Sequence, residues 1–470
     1  MREILESTFR RALAGADPRE LTQRALPEER PALVLAAGKA ALPMLEAALA
    51  RFPGVPWLAT PPASAAGPRP ESSPAGAPEP ALPPGVDGRD PAPTSPGGEL
   101  LPGSHPLPDE RSVAAAGRAL AAVRGLTRDD LVLLLVSGGG SALWSAPYWV
   151  DLETKRRLTV HLQRAGADIG ELNTVRRHLS RVKGGGLLAA TKARVLSLLL
   201  SDVPGDAPWD IASGPGVADP TTFADALAVL KRYPDEVTRP AAECFRRGAS
   251  GELPETVKPG SPADARAAAT VVGTSRTLMA EAASYLERHL DVQAIELHPD
   301  LSGEARELAE RHAHLIAAVL NGEDARPVLP LLAADPPYVA WRLKRLERSR
   351  PVALLSGGEA TVTVRGAGRG GRNQEFALAF ALALARRAPG ANVWALSAGS
   401  DGVDGVSEAA GAFVTPDTLE RASALGLDPQ AMLRENDSAG FFAALGDQLV
   451  TGPTGHNLND LRVVLLPPRT

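Results

Sequence analysis

The sequence predicts doubly wound α/β domains, and two observations carry that expectation. Six short apolar runs, Leu33–Ala36, Leu131–Val136, Val195–Leu200, Thr270–Val272, Val352–Leu355 and Val393–Leu396, each lead into a loop of Gly, Ser or Asp and then helical periodicity. Continuously apolar strands are buried on both faces, as in a parallel sheet flanked by helices. The chain has 470 residues, 44% hydrophobic and 22% charged, enough for two or three domains and a large core. In such sheets ligands bind beyond the carboxyl ends of the strands, so these loops are where function is sought.

Taken in order, MREILESTFRRAL mixes acidic and basic residues without an apolar h-region and reads as an amphipathic helix, not a signal peptide. Residues 59–100 contain 12 of the 43 prolines, and a disordered or polyproline-like excursion is expected there. A helix is expected over Glu304–Leu320, and the Pro-, Asp- and Arg-containing stretch 321–350 leads to a domain boundary. The expected domains are 1–345 and 350–470.

A net charge of -5, a pI near 6.0 and the lack of a long basic run argue against a nucleic-acid partner. The apolar runs fall far short of the ~20 residues of a spanning helix, so no membrane partner is expected. The single cysteine, Cys244, rules out an internal disulfide and fits a reducing cytoplasm; in AAECFRRG it reads as buried filler on a helix.

The motifs sit at the strand ends. In Ser137-Gly138-Gly139-Gly140-Ser141, three glycines let backbone N–H groups approach an anion, and the serines add hydroxyls. Ser356-Gly357-Gly358-Glu359 is a second loop of nearly the same design, and the two together favour phosphate binding over a plain tight turn. Neither matches a dinucleotide fingerprint or a Walker A loop. Lys39, after Ala37-Gly38, brings a cation to a helix start, where charge and dipole converge on one anion.

Asn173 is the expected N-cap of a basic helix that Gly184–Gly186 stop, with Arg176 and Lys183 sharing a face as anion ligands. Asp202 and Asp206 in SDVPGD, and Asp401 and Asp404 in SDGVDG, are carboxylates suited to hydrated Mg²⁺ or to accepting a hydroxyl proton. We assign Asp202 to catalysis and Asp206, Asp401 and Asp404 to the metal. Arg372, in GRGGRNQE before the apolar helix Phe376–Arg386, suits phosphate oxygens and charge developing in phosphoryl transfer.

With these motifs in order, the chain resembles the glycerate 2-kinase family, the class II or MOFRL-type glycerate kinases. The likeness runs through AAGKAA, GSHPLPDERS, SGGGSAL, LNTVRRHLSRVKGG, LSDVPGDAPWDIASGP, LLSGGEATVTV, GRGGRNQEFAL, SAGSDGVDG, ENDS and TGPTGHNLNDL. It implies a Rossmann-like N-terminal domain, a smaller C-terminal α/β domain and an active site in the cleft between them. It also implies conversion of D-glycerate to 2-phosphoglycerate with ATP and Mg²⁺, with Lys39 and Arg372 essential. Arg176, Lys183, Asn373, Glu375 and Asn457 are then candidate substrate ligands. Arg372 has two open roles, transition-state charge or the glycerate carboxylate, and which glycine loop takes nucleotide stays open as well. Alternatives are a kinase of another small hydroxy acid or sugar acid, and a hydroxypyruvate reductase. The chain departs from the family at His456, where TGPTGTN is usual, and in the Pro-rich segment.

Overall fold

The computed structural model describes residues 1–63, 97–347 and 349–468, so the expected excursion at 59–100 lies outside the described residues except at its two ends. The chain forms two compact units, Thr22–Val272, and Met1–Leu21 together with Gly273–Thr470.

The first unit is built on a six-stranded sheet. Its strands are β1 (Leu33–Ala37), β2 (Trp57–Thr60), β3 (Gly98–Leu100), β4 (Leu131–Val136), β5 (Arg194–Leu200) and β6 (Ala267–Gly273). Their order is β3-β2-β1-β4-β5-β6, and the pairs β1/β2, β2/β3, β1/β4 and β4/β5 are parallel. This is the order of a dinucleotide-binding doubly wound sheet, whose winding reverses between β1 and β4. β1 and β4 are buried at every position, as their unbroken apolar runs require. Leu35, Leu134 and Val195 pack with Ala116 and Leu120 of the helix Glu110–Arg124, which Asp109 caps. The two ends of the proline-rich stretch are β2 and β3, paired in register Trp57↔Gly98, so the sheet continues across it.

The second unit carries β7 (Gln293–Glu296), β8 (Gly303–Glu304), β9 (Val352–Gly358), β10 (Ala360–Thr361), β11 (Trp394–Gly399), β12 (Gly411–Val414), β13 (Gln448–Leu449) and β14 (Asp460–Leu466). Six of them form one sheet in the order β13-β12-β11-β14-β9-β7, and β8 pairs with β10. Here the parallel expectation fails. Within the six-stranded sheet only β7/β9 is parallel, because β14 enters antiparallel between β11 and β9 and β12 and β13 follow antiparallel; the separate pair β8/β10 is parallel. Continuous burial, the feature that suggested parallel strands, arises equally in a covered mixed sheet.

The observed division also differs from the expected 1–345 and 350–470. β7 belongs to the same sheet as β9, and the N-terminal helix Arg2–Gly15 packs on the helix Ser275–His289 with Leu5, Phe9 and Ala12 fully buried. The helices Ala305–Asn321 and Arg372–Arg387 supply Leu308, Ile316, Phe376 and Phe380 to this unit's core. Cys244 lies buried on the helix Arg239–Ala249, where burial pushes its thiol up to about 11.

Candidate functional site

In the unit Thr22–Val272, the candidate residues gather at the carboxyl ends of β1, β4 and β5, around the point where the sheet reverses its winding. The turns after β1 and β4 are stitched together. Lys39 N donates to Gly138 O at 2.9 Å, Ala40 N to Ser137 Oγ at 2.9 Å, and Ser137 N to Ala37 O at 3.0 Å. Gly38 has φ 131°, and a Cβ there would collide with the Ser137 hydroxyl, so only glycine lets the two turns meet. Gly139 has φ 82°, with the Lys39 side chain lying against it: a Cβ on Gly139 would stand 3.5 Å from Lys39 Cγ. Lysine and glycine turn therefore face one place.

A chain of polar groups continues from that turn. Ser141 Oγ and Ser213 Oγ are 2.7 Å apart, and Ser213 Oγ donates to Asn173 Oδ1 at 3.0 Å. Arg176 Nη1 reaches the same Asn173 oxygen at 3.4 Å, and Asn173 Nδ2 donates to Asp210 O at 3.2 Å. Ala212 and Ser213 hold positive φ values of 51° and 59°, strain of the kind that functional sites store. Gly140 is the residue that lets Ala212 pass: a Cβ on it would lie 2.7 Å from the Ala212 methyl.

Arg177, beside Arg176, has another task. Its guanidinium is buried between Asp210 at 2.8 Å and Asp219 at 2.9 Å and fixes the Asp210–Ser213 segment.

Two local expectations change. The helix runs Ile169–His178 and is capped by Asp168 in a capping box with Glu171, so Asn173 is an interior residue aimed at Ser213 and not an N-cap. Lys183 lies beyond that helix and shares no face with Arg176. Its Nζ donates to Ser141 O and Trp144 O, both at 2.8 Å, and so braces the far end of the glycine turn. Burial, with Lys155 and Arg176 close by, holds Lys183 well below the ordinary lysine range. Burial next to Arg176 lowers Lys155 to about 7, and burial lowers Arg176 to about 10. Asp202 and Asp206 are part-buried after β5, Asp206 with φ 54°.

In the second unit, the Ser356-Gly357-Gly358 segment is not a loop. It is the end of β9, in register Ser356↔Arg462, Gly357↔Leu461 and Gly358↔Asp460. Gly357 N donates to His298 O at 2.8 Å and Gly358 N to Ser275 Oγ at 3.3 Å, so these amides serve the protein and not an anion. A Cβ on Gly357 or Gly358 would strike Ser275, Pro299 or Leu301, and the glycines exist to let that segment cross the strand. Ser356 bonds His312 Nε2 at 2.9 Å, with His312 kept neutral by burial at about 3.

Arg372 is the first residue of its helix. Its Nε and Nη2 grip Asp460 at 2.8 and 2.9 Å, and Nη1 meets Glu359 at 2.9 Å. Burial opposes its charge, but Asp460 and Glu359 outweigh that and raise its pKa. Asp460 is fully buried and also accepts from Asn373 Nδ2 at 2.9 Å and Arg462 Nη2 at 3.2 Å.

Asp404 takes the amides of Asn373 and Gln374, each at 2.9 Å, one on each oxygen. Burial raises it to about 6, and it serves as a cap for the Arg372 helix, with neither oxygen turned to a cation. Asn373 is wholly engaged, its Oδ1 accepting from Ser397 at 2.6 Å. Glu375 is buried between Arg306 at 2.7 Å and Asn436 at 2.9 Å. These two expected substrate ligands are thus structural. Asp401 accepts from Val403 N at 3.2 Å, and Asn457 is buried. His456 points Nε2 to Leu13 O at 2.8 Å and Nδ1 to Thr454 O at 3.1 Å. Among the described residues no three His, Cys, Asp or Glu side chains form a metal-ligating group.

Sequence reasoning passed over Ser213, Asp210, Asp219, Asp460 and Arg462. The visible signal for Ser213 was its place in Ser213-Gly214-Pro215 at a strand end; the others acquire meaning only through residues distant in the chain.

Residues 4–245 match a family model described as a domain of unknown function (DUF4147), and residues 352–460 match the MOFRL family. The chain is 40% identical to a "Putative hydroxypyruvate reductase" of Agrobacterium vitis over 99% of this chain and 94% of that protein. It is 38% identical to the "D-glycerate 2-kinase" of Thermotoga maritima over 78% of this chain and 80% of that one. The crystal structure of glycerate kinase from Thermotoga maritima superimposes with a TM-score of 0.77 at 32% identity, covering 99% of both chains.

Proposed function

The chain belongs to the glycerate 2-kinase family, and we propose that it transfers the γ-phosphoryl group of ATP to the 2-hydroxyl of D-glycerate with Mg²⁺, giving 2-phosphoglycerate. The observation that carries the reading is the glycine turn Ser137–Ser141 locked to Lys39 at the reversal point of the sheet. Such a turn with a lysine against it suits an anion, and phosphoryl transfer relies on positioning and charge stabilisation.

In this reading the glycerate hydroxyl oxygen bonds to phosphorus as the bond to the β,γ-bridging oxygen of ATP breaks. Lys39 stabilises the charge on the transferring group, and Asp202 accepts the hydroxyl proton. Arg176, held through Asn173 and Ser213, takes an anionic group beside the turn. Arg372 is assigned a guanidinium role in the same transfer, prealigned by Asp460. Mg²⁺ would neutralise phosphate charge. Asp206, a hard oxygen donor at a strand end, fits it, and Asp404 with both oxygens on amides does not.

The test is a coupled assay with D-glycerate, ATP and Mg²⁺ and enolase as the first coupling enzyme. A signal without mutase is expected; a signal only with phosphoglycerate mutase means the 3-phospho product and overturns the regiochemistry. Oxidation of NADH with hydroxypyruvate, in the absence of kinase turnover, would instead establish the reductase reading.

A further inference from the structure

Beside the glycine turn, within the unit Thr22–Val272, lies a cavity of about 460 Å³ bordered by Tyr148, Trp149, Arg181, Lys183 and Thr256. We propose that this cavity is the subsite for the aromatic base of the nucleotide donor, an inference that rests on the kinase reading above. Its volume lies within the range of small-molecule sites.

The first argument is an aromatic platform. The Tyr148 and Trp149 rings are 4.0 Å apart at a tilt of 32°, and the Arg181 guanidinium lies 4.8 Å over Tyr148. Trp149 is 38% exposed, a large exposure for the most costly apolar side chain to leave in water. Its φ of 69° is an outlier for a bulky residue. The surroundings hold it there: Tyr148 N donates to Leu179 O at 3.2 Å, Arg181 N to Ala146 O at 2.9 Å, and Pro147 and Ser180 form an antiparallel bridge.

The second argument is charge. Arg177 is matched by Asp210 and Asp219, and Glu255 by Lys258. Among the described residues, Lys155, Arg176, Arg181 and Lys183 have no carboxylate partner. Lys155 and Lys183 are nevertheless buried, their amines resting only on backbone carbonyls. Buried cations are costly without an anion.

An inorganic anion would satisfy the cations and leave the aromatic platform without purpose. An apolar ligand would do the reverse. A nucleotide uses both: stacking on aromatic faces with cation–π support for the base, cations for the phosphates. Continuity with the proposed phosphate turn comes from Lys183, which borders the cavity and donates to Ser141 O and Trp144 O.

The experiment measures binding of ATP and of inorganic tripolyphosphate by calorimetry to the full chain, Trp149→Ala and Trp149→Phe. Kinase turnover of D-glycerate is followed in the same preparations, and folding is checked by circular dichroism. Trp149→Ala is expected to weaken ATP roughly 10- to 100-fold, the range of base–aromatic stacking, and to raise KM for ATP. Tripolyphosphate binding should shift less than threefold, and Trp149→Phe should recover most of the ATP affinity. Unchanged ATP affinity in Trp149→Ala overturns the subsite. Equal loss of ATP and tripolyphosphate also overturns it, since the residue would then be structural. Absence of glycerate phosphorylation alongside selective loss of ATP binding overturns the kinase reading and leaves the base subsite standing.

Discussion

Asp460→Asn tests how the Arg372 helix start is held. Asp460 is fully buried and its two oxygens receive Arg372 through Nε and Nη2, Asn373 through Nδ2 and Arg462 through Nη2. Arg462 is itself fully buried, and its Nη1 donates to Gly357 O at 3.1 Å. Removing the carboxylate charge strands one guanidinium with no counter-ion and leaves the other to Glu359, which is half exposed. Breaking a buried pair by removing one partner costs about 3–5 kcal/mol; an amide retains one acceptor oxygen, so about 2–4 kcal/mol is expected. Urea unfolding followed by circular dichroism should show that loss with an unchanged m-value. The double variant Asp460→Asn, Arg462→Met should recover at least half of it, because deleting both partners of a buried pair is far milder than deleting one. A loss under about 1 kcal/mol in the single variant, or no recovery in the double, would refute the reasoning.

Other outcomes follow from the same geometry. Lys39→Met should lower kcat by roughly 10²–10³-fold with stability unchanged, read from steady-state kinetics; a change under threefold removes Lys39 from the transfer. Lys155 has a native pKa lowered from 10.5 to about 7, so between those values the unfolded chain binds a proton the native chain lacks. Stability from this group therefore rises with pH from about 7 to 10.5 and is flat below; Lys155→Met should remove that slope and raise stability at pH 7, measured by urea unfolding across pH. His456→Thr should leave kcat/KM for D-glycerate within about threefold, because both ring nitrogens face backbone carbonyls, and should lower stability by about 1 kcal/mol through the bond to Leu13 O. A large kinetic effect would put His456 at the substrate.

Much of this was legible in the residues. All six apolar runs became strands β1, β4, β5, β6, β9 and β11; in β1, β4 and β9 continuous burial leaves a continuous apolar signal, whereas β6, at the sheet edge, is largely exposed and shows that signal without the burial. The glycine turn at Ser137 and Lys39 came together, since both followed adjacent strands of a parallel sheet. The second glycine segment misled: Gly357 and Gly358 serve a crossing segment that lies about sixty residues earlier in the chain, and no local pattern distinguishes that use from an anion loop. The same is true of Asp404, Asn373 and Glu375, whose polar character suggested ligands but whose partners are a helix start, a buried serine and Arg306. Strand order in the second sheet was hidden because Asp460–Leu466 looks the same whether it lies at an edge or between β11 and β9.

The central position of β14 bears on how the chain is made. Everything the unit Thr22–Val272 needs has been synthesised by residue 272, so it can close while translation continues. The other unit starts with the first helix and cannot complete its sheet until residue 466 emerges, since β9 and β11 have no pairing with each other except through β14. Until β14 emerges, the facing edges of two apolar strands stand open, and the nascent unit is at its most prone to aggregate in that interval between β11 and β14.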